Sequence, residues 1–187
     1  MPSLASGTMI ATPKGEVPIE RLRVGDPVVT RDHGIRPVCW TGTRHLPWAQ
    51  LQAQVHLRPV LVTQAAFGNG LPERDLLASP EQRFLVHRDR TALRLDGTEA
   101  LVAAKHLVGL RRVVNLDSAG LRYVSILFDR HEVILAEGVW TESFQPEDRS
   151  LRGQGNAQRV EAHLLFPDLR FGAGPVPRAR TAMPAAR

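Results

Sequence analysis

The chain has 187 residues, 43% of them apolar, which is enough for one domain with a hydrophobic core and excludes an intrinsically disordered protein. Residues 1–148 carry 17 basic and 17 acidic side chains, so the net charge of +5 belongs to residues 149–187 and a basic whole-domain surface is excluded. The single cysteine, Cys39, excludes an intramolecular disulfide.

Short apolar stretches separated by turn residues follow one another through the first 148 residues. Their β-branched content and the turn signals between them predict strands rather than helices. Residues 121–129 alternate most clearly, with Tyr123, Ser125 and Leu127 on one face and Val124, Ile126 and Phe128 on the other. A tight turn is predicted at 32–34 and one or two helical turns at 103–108. Strands are predicted at 27–31, 36–41, 59–63, 75–79, 83–87, 99–102, 112–116, 121–129 and 131–137.

Long helical patterns are missing before residue 156, so the pattern as a whole predicts an all-β domain of heavily bent strands over residues 1–148. The basic C-terminal extension follows at 149–187. We predict a short helix near 156–166 and a disordered tail beyond Gly172. A solvated terminus is the favoured interpretation of the arginine-bearing tail, and weak contact with nucleic acid is the alternative.

The N-terminus carries no signal peptide pattern, and no segment of the sequence is typical of a membrane span. Residues 1–6 lack the basic and apolar regions of a signal peptide. No apolar run reaches the roughly 20 residues needed to cross a bilayer. We therefore predict a cytoplasmic protein that does not enter a membrane, with export as part of a larger protein as the alternative.

Three separated signatures lie within the predicted β domain. They are GTMIATPKG at 7–15 with IERLRVGD at 19–26, LASPEQR at 77–83, and LFDRHEVILAEG at 127–138 with TESF at 141–144. Their order and spacing resemble the hedgehog/intein (Hint) domain, in the bacterial form found outside true inteins, over about residues 3–146. The resemblance implies a compact β fold built from two pseudo-symmetric halves, in a domain that cuts or rearranges its own backbone.

The resemblance implies a nucleophile four residues before Gly7, where Hint domains usually carry a cysteine and this chain carries Ser3. In the family this side chain attacks the carbonyl just upstream and converts an amide into a thioester. A serine makes the equivalent ester more slowly, because a hydroxyl is far less acidic than a thiol. Ser6 is the alternative if a loop insertion shifts the register. The non-catalytic alternative is that Ser3 is an ordinary polar residue near the N-terminus.

The central motif of the family is Thr or Ser, two further residues, and then His. Its histidine donates to the scissile amide and helps to protonate the leaving nitrogen. Here Ser79 matches the first position and Gln82 stands in place of the histidine. The resemblance implies amide-polarising roles for both, but glutamine does not shuttle protons near pH 7. We do not expect His87 to replace it, because an odd offset of five residues puts it on the opposite face of a strand.

The third signature contains His131. The resemblance implies that its ring acts as a base or orients the upstream carbonyl. The alternative is a ring packed within a turn that Asp129 and Arg130 hold. Glu137 and Glu142 belong to the same signature, and we expect both at solvated strand ends.

No cofactor is predicted. The seven histidines show no metal-ligand spacing, Cys39 has no second thiol, and no phosphate-binding glycine loop is present. We therefore predict no metal and no small-molecule cofactor. Cys39, beside Trp40, is predicted to be a buried structural residue.

The leading functional hypothesis is an N-terminal acyl shift and self-cleavage at Ser3, weakened or lost, with the protein's own polypeptide as substrate. Ser3 is the nucleophile, Ser79 and Gln82 polarise the amide, and His131 is the remaining titratable group. Full splicing is not expected, because the chain has no His-Asn pair. Only two residues precede Ser3, so we expect either a domain of a longer protein or one that processes nothing. The alternative function is a non-catalytic β module that binds another protein.

Overall fold

The computed structural model describes residues 2–87, 99–110 and 112–145. The predicted helix near 156–166 and the predicted disordered tail lie outside these residues. The predicted domain boundary at residue 148 lies outside them too, and it stays a prediction.

The described residues confirm the prediction of an all-β domain of short strands. Besides the strands, the described residues contain two short α-helices, α1 (Trp48–Ala53) and α2 (Ala104–Leu107), and two single-turn 3₁₀ helices at Ile19–Arg21 and Val55–Leu57. No helix in the described ranges is long and apolar enough to cross a membrane. The strands are β1 (Leu4–Ala5), β2 (Met9–Thr12), β3 (Gly15–Pro18), β4 (Pro27–Thr30), β5 (Gly34–Pro37), β6 (Trp40–Pro47), β7 (Val60–Val62), β8 (Leu76–Ala78), β9 (Arg83–His87), β10 (Glu99–Ala103), β11 (Val113–Asn115), β12 (Gly120–Leu127), β13 (Val133–Ala136) and β14 (Val139–Glu142).

The strands form two antiparallel sheets. The first has the order β11-β7-β8-β1-β12-β6. The second has the order β10-β9-β14-β13-β2-β3, and β4 joins it by pairing with β13 and carries β5 at its other edge. The short strand β1 therefore lies between β8 and β12 in the first sheet, which sets the position of the chain's N-terminal residues.

The predicted returning strand at 36–41 is wrong, because this segment belongs to both sheets in turn. The strand that pairs with β4 runs from Gly34 to Pro37, and proline has no N–H to continue the ladder. Val38 still donates to Asp26 O, whereas Cys39 donates to Leu127 O in the first sheet. The chain thus crosses between the sheets at Val38 and Cys39, and β6 begins at Trp40.

The main core consists mostly of aliphatic side chains, in a chain whose aromatic content is 5%. Its fully buried members include Ile10, Val28 and Ile134, and its only aromatic members in the described residues are three phenylalanines. A smaller cluster of Leu46, Leu51 and Tyr123 lies where α1 covers one end of β6 and β12. This second cluster borders the face of the first sheet that carries the candidate site.

Two hydrogen bonds from backbone N–H groups to glutamate side chains hold the segment that follows β1 in place. Gly7 adopts φ +92° in a turn, a conformation that favours glycine, and its N–H donates to Glu20 Oε2 over 2.8 Å. Two residues later, the N–H of Met9 donates to Glu137 Oε1 over 2.8 Å. The bond between Met9 and Glu137 joins the first signature to the third. It also restrains β1, which lies just before this segment.

Candidate active site

Three serines from different parts of the chain lie side by side in the first sheet. Because β1 pairs with both β8 and β12, Leu4 is opposite Ala78 on one side and Val124 on the other. One residue earlier, Ser3 therefore lies between Ser79 and Ser125. The N–H of Ser79 donates to the carbonyl of Ser3 over 2.9 Å, which continues the ladder at this level. We call Ser79, Ser3 and Ser125 the serine row.

The serine row holds the peptide bond between Pro2 and Ser3 at both of its polar atoms. The Ser3 N–H donates to Ser79 Oγ over 3.0 Å, and the Ser125 hydroxyl donates to Pro2 O over 3.0 Å. The Ser3 and Ser125 Oγ atoms are 2.8 Å apart. Since Ser125 gives its one proton to Pro2 O, Ser3 is the donor in this contact. A directed chain of hydrogen bonds thus links the Ser3 hydroxyl to the carbonyl oxygen immediately upstream of it.

The serine row is withdrawn from solvent. Ser3 and Ser125 are each 3% exposed and Ser79 is 6% exposed. Tyr123, two residues before Ser125 and on the same face of β12, is also buried, and this burial raises the pKa of its phenol. In a buried site of low polarity, a hydrogen bond to a developing charge is stronger than it is in water. Ser6, the alternative nucleophile, is exposed in the turn after β1.

Gln82 is buried near the serine row, but its amide group is bound elsewhere. Its backbone N–H donates to Ser79 O over 2.9 Å. Its side-chain Nε2 donates to Thr141 Oγ1 over 2.7 Å and to Glu142 O over 2.8 Å. A primary amide has two such hydrogens, so β14 takes both of them. These contacts connect the second signature to the third and leave no Nε2 hydrogen for the Pro2–Ser3 peptide.

His131 lies in a buried polar cluster next to the end of β14. The ring is 4% exposed, and its Nε2 is 3.4 Å from Glu142 Oε2, which also faces Arg83 Nη1 at 3.3 Å. Neither ring nitrogen has a hydrogen-bond partner among the described residues. The adjacent Glu132 is fully buried, and its Oε2 lies 2.9 Å from Nδ1 of His33. The charged partner of His131 is therefore Glu142, not a member of the serine row.

The expectation that Glu137 and Glu142 lie at solvated strand ends is wrong. Glu137 is 3% exposed and Glu142 is 4% exposed. Beyond its bond with the N–H of Met9, Glu137 accepts from Arg74 Nε over 2.6 Å, and this bond raises the pKa of the guanidinium. Both carboxylates are retained inside the protein because each has a cationic partner.

The prediction of a buried Cys39 is also wrong, because the residue is only half-buried at the crossing between the sheets. Partial burial and the nearby Asp129 carboxylate raise the pKa of its thiol, which lowers its reactivity. His87 lies at the far end of β9 and is half-exposed. No group of three or more potential metal ligands occurs within residues 2–87, 99–110 and 112–145.

Sequence reasoning did not include Ser125 among the candidate site residues, although a signal was present. The alternation of β12 places this serine between Tyr123 and Leu127 on a face that otherwise packs against other residues. A buried hydroxyl in such a position needs a hydrogen-bond partner. Its partners come from the N-terminal segment, more than 120 positions away in the sequence.

The sequence model of the Hint domain family matches residues 2–148 of the chain. Similar solved structures include a bacterial intein-like domain from Clostridium thermocellum, 16% identical, covering 77% of this chain and 99% of that one, with a TM-score of 0.49. The gp41-1 intein is 15% identical, with coverage of 75% and 98% and a TM-score of 0.47. A variant of the Ssp DnaB mini-intein is 10% identical, with coverage of 79% and 96% and a TM-score of 0.49. No curated protein sequence gives a significant match.

Proposed function

Because this chain belongs to the Hint domain family, an autoprocessing family, we propose that it carries out an N-to-O acyl shift at the peptide bond between Pro2 and Ser3. The substrate is the domain's own polypeptide, and Ser3 is the nucleophile. One observation carries the proposal: the Ser125 hydroxyl lies 2.8 Å from Ser3 Oγ and 3.0 Å from Pro2 O.

The first step is the attack of Ser3 Oγ on the carbonyl carbon of Pro2. As the C–O bond forms, the proton on Ser3 Oγ passes to Ser125 Oγ, and the Ser125 proton passes to Pro2 O. The product is a neutral cyclic tetrahedral intermediate in which the former carbonyl oxygen is a hydroxyl. Ser125 ends this step as it began, with one proton, so it acts as a relay and as the donor that stabilises the developing oxyanion.

The second step breaks the C–N bond of the same intermediate. The bonding pair stays on the Ser3 nitrogen, and the proton of the new hydroxyl passes to that nitrogen as the carbonyl reforms. Ser79 accepts the N–H of Ser3 over 3.0 Å and so fixes the orientation of the leaving nitrogen. The products are an ester between Pro2 and the Ser3 side chain and a free amine at Ser3.

This reaction is slower than in a family member with cysteine and histidine at the corresponding positions. The serine hydroxyl is a weaker nucleophile than a thiolate. Gln82 is not a proton donor near pH 7, and both of its Nε2 hydrogens are held by β14. Losing a general acid typically costs about two to four orders of magnitude in rate. The ester is therefore formed rarely and is returned to the amide unless a nucleophile captures it.

The test is a reporter protein fused directly before Pro2, with release followed by intact mass. We expect the fusion to stay intact in buffer and to be cleaved slowly by hydroxylamine, an external nucleophile that captures esters. Ser3→Ala abolishes this cleavage, whereas Ser6→Ala, a matched change at the exposed serine of the neighbouring turn, leaves it unchanged. Spontaneous cleavage within minutes contradicts the weakened reaction. Equal cleavage in the Ser3→Ala fusion contradicts the nucleophile, and a fusion inert to hydroxylamine supports a non-catalytic module that binds another protein.

A further inference from the structure

The indole of Trp40 lies over Gly42, two residues further along β6. A Cβ atom built on Gly42 meets Trp40 Cη2 at 2.0 Å and Cζ2 at 2.4 Å, far inside contact distance. Gly42 is not among the residues with a positive φ, so its backbone conformation does not require a glycine. Residue 42 lacks a side chain because the outer edge of the indole occupies that space.

The indole edge is consequently a neighbour of the serine row. Gly42 on β6 is directly opposite Ser125 on β12. In an antiparallel pair, opposite side chains point to the same face with their Cβ atoms about 4.5–5.5 Å apart. The place that a residue 42 side chain would take beside Ser125 is therefore filled by the Trp40 ring.

Phe144 packs against the indole of Trp40. The two ring centroids are 5.7 Å apart with the planes tilted by 43°, a favourable aromatic arrangement. The Phe144 N–H donates to Ile126 O over 2.8 Å, which anchors the phenyl ring next to β12. The aromatic pair thus closes one side of the serine row, while the buried Tyr123 closes the position two residues along β12.

We propose that Trp40 is a cap that controls which nucleophiles reach the Ser3 site. The inference rests on the proposed acyl shift, because the cap matters once an ester exists on Ser3. To release the upstream chain, a nucleophile such as water, a thiol or hydroxylamine forms a bond to the Pro2 carbonyl carbon. The bond from that carbon to Ser3 Oγ breaks, and the proton of the nucleophile passes to Ser3 Oγ. Ser3 is 3% exposed with the indole on Gly42, so in this proposal the cap moves before an acceptor captures the acyl group.

The cap is tested by thiol reactivity, which does not depend on catalysis. The protein carries Cys39→Ser, which removes its single native thiol, and Ser3→Cys, which places one in the serine row. Iodoacetamide labelling is followed by intact mass. Because labelling rates follow exposure, we expect Trp40→Ala to raise the rate roughly ten-fold or more. Trp48→Ala is the control, since Trp48 is 57% exposed on α1, and it leaves the rate unchanged.

A second variant displaces the indole without removing it. Gly42→Ala puts a methyl group where the ring now lies, so it is also expected to raise the labelling rate. If both changes open the same cap, Gly42→Ala adds nothing once Trp40→Ala is present, and the two effects are non-additive. Trp40→Leu, which retains an apolar contact but does not reach across Gly42, serves if Trp40→Ala melts below the assay temperature.

Labelling rates that stay at the parent value in folded Trp40→Ala or Trp40→Leu overturn the cap, and so do additive effects of Gly42→Ala and Trp40→Ala. These outcomes are independent of the acyl shift. A reporter fusion that is inert to hydroxylamine contradicts the proposed function, whereas the labelling rates still decide whether the indole restricts access to residue 3.

Discussion

Replacing Ser125 with alanine tests the proton relay. The change removes the donor to Pro2 O, at 3.0 Å, and the acceptor of the Ser3 proton, at 2.8 Å. Loss of one oxyanion donor typically lowers a rate by about 10²–10³, or about 3–4 kcal/mol of transition-state stabilisation. We expect a loss of this size in the rate at which hydroxylamine releases the reporter from a Ser125→Ala fusion.

The effect of Ser125→Ala on folding is expected to be smaller than its effect on the reaction. Two neutral hydrogen bonds are lost, each with a net contribution of about 1 kcal/mol, so the free energy of unfolding falls by about 1–2 kcal/mol. Urea unfolding measures the loss in the free energy of unfolding, and hydroxylamine-dependent release of the reporter measures the loss in the reaction rate. Ser118→Ala is the matched control, since the Ser118 hydroxyl lies just before β12 and, within the described residues, bonds to Gly120 at the start of that strand.

The Ser125→Thr variant tests whether the hydroxyl group itself, and not another property of the serine, is needed for the reaction. It keeps the donor and acceptor atom on a β-strand that accommodates a β-branched residue, so we expect most of the rate to return. A folded Ser125→Ala fusion that reacts at the wild-type rate refutes the relay. The relay is also refuted if Ser125→Thr folds normally but reacts no faster than Ser125→Ala.

Three further predictions concern the motif residues and the tail. Ser3→Cys combined with Gln82→His is expected to restore spontaneous N-terminal cleavage, measured by intact mass, with much smaller gains from either change alone; a folded but inert double variant contradicts the assigned positions. Glu137→Ala is expected to lower the free energy of unfolding in urea by about 2–4 kcal/mol, because it removes a buried carboxylate that accepts from the half-buried N–H of Met9 and from Arg74, and an unchanged midpoint contradicts this. A chain that ends at Gly172 is expected to keep its melting temperature and to bind heparin more weakly at low salt, whereas a large fall in melting temperature contradicts the predicted solvated tail.

The sequence predicted the class of the fold because it follows from local signals, and the resemblance to the Hint family singled out Ser3 and Ser79. Short β-branched stretches between turn residues indicate strands wherever they occur, and a motif fixes the position of Ser3 and Ser79 by simple counting. The structure brings these two serines together, with Ser3 N–H on Ser79 Oγ. The local pattern failed at 36–41, where the chain changes sheets without any break in its β-strand character.

The partners of the buried polar residues were not predictable, because they depend on the register of strands that are far apart in sequence. Ser125 meets Ser3 only because β1 inserts between β8 and β12. Gln82 stands in the predicted place, but its amide points to β14, which the motif does not specify. The burial of Glu137 likewise follows from partners at Met9 and Arg74, which no local pattern links to it.

The most direct measurement is the chemical identity of the two fragments that hydroxylamine produces from the wild-type reporter fusion. An ester on Ser3 predicts an upstream fragment that ends in a Pro2 hydroxamate and a downstream fragment that begins at Ser3, both identified by tandem mass spectrometry and both missing with Ser3→Ala. Fragments that end at any other residue, or release that persists in the Ser3→Ala fusion, contradict an acyl shift from Pro2 to the Ser3 hydroxyl.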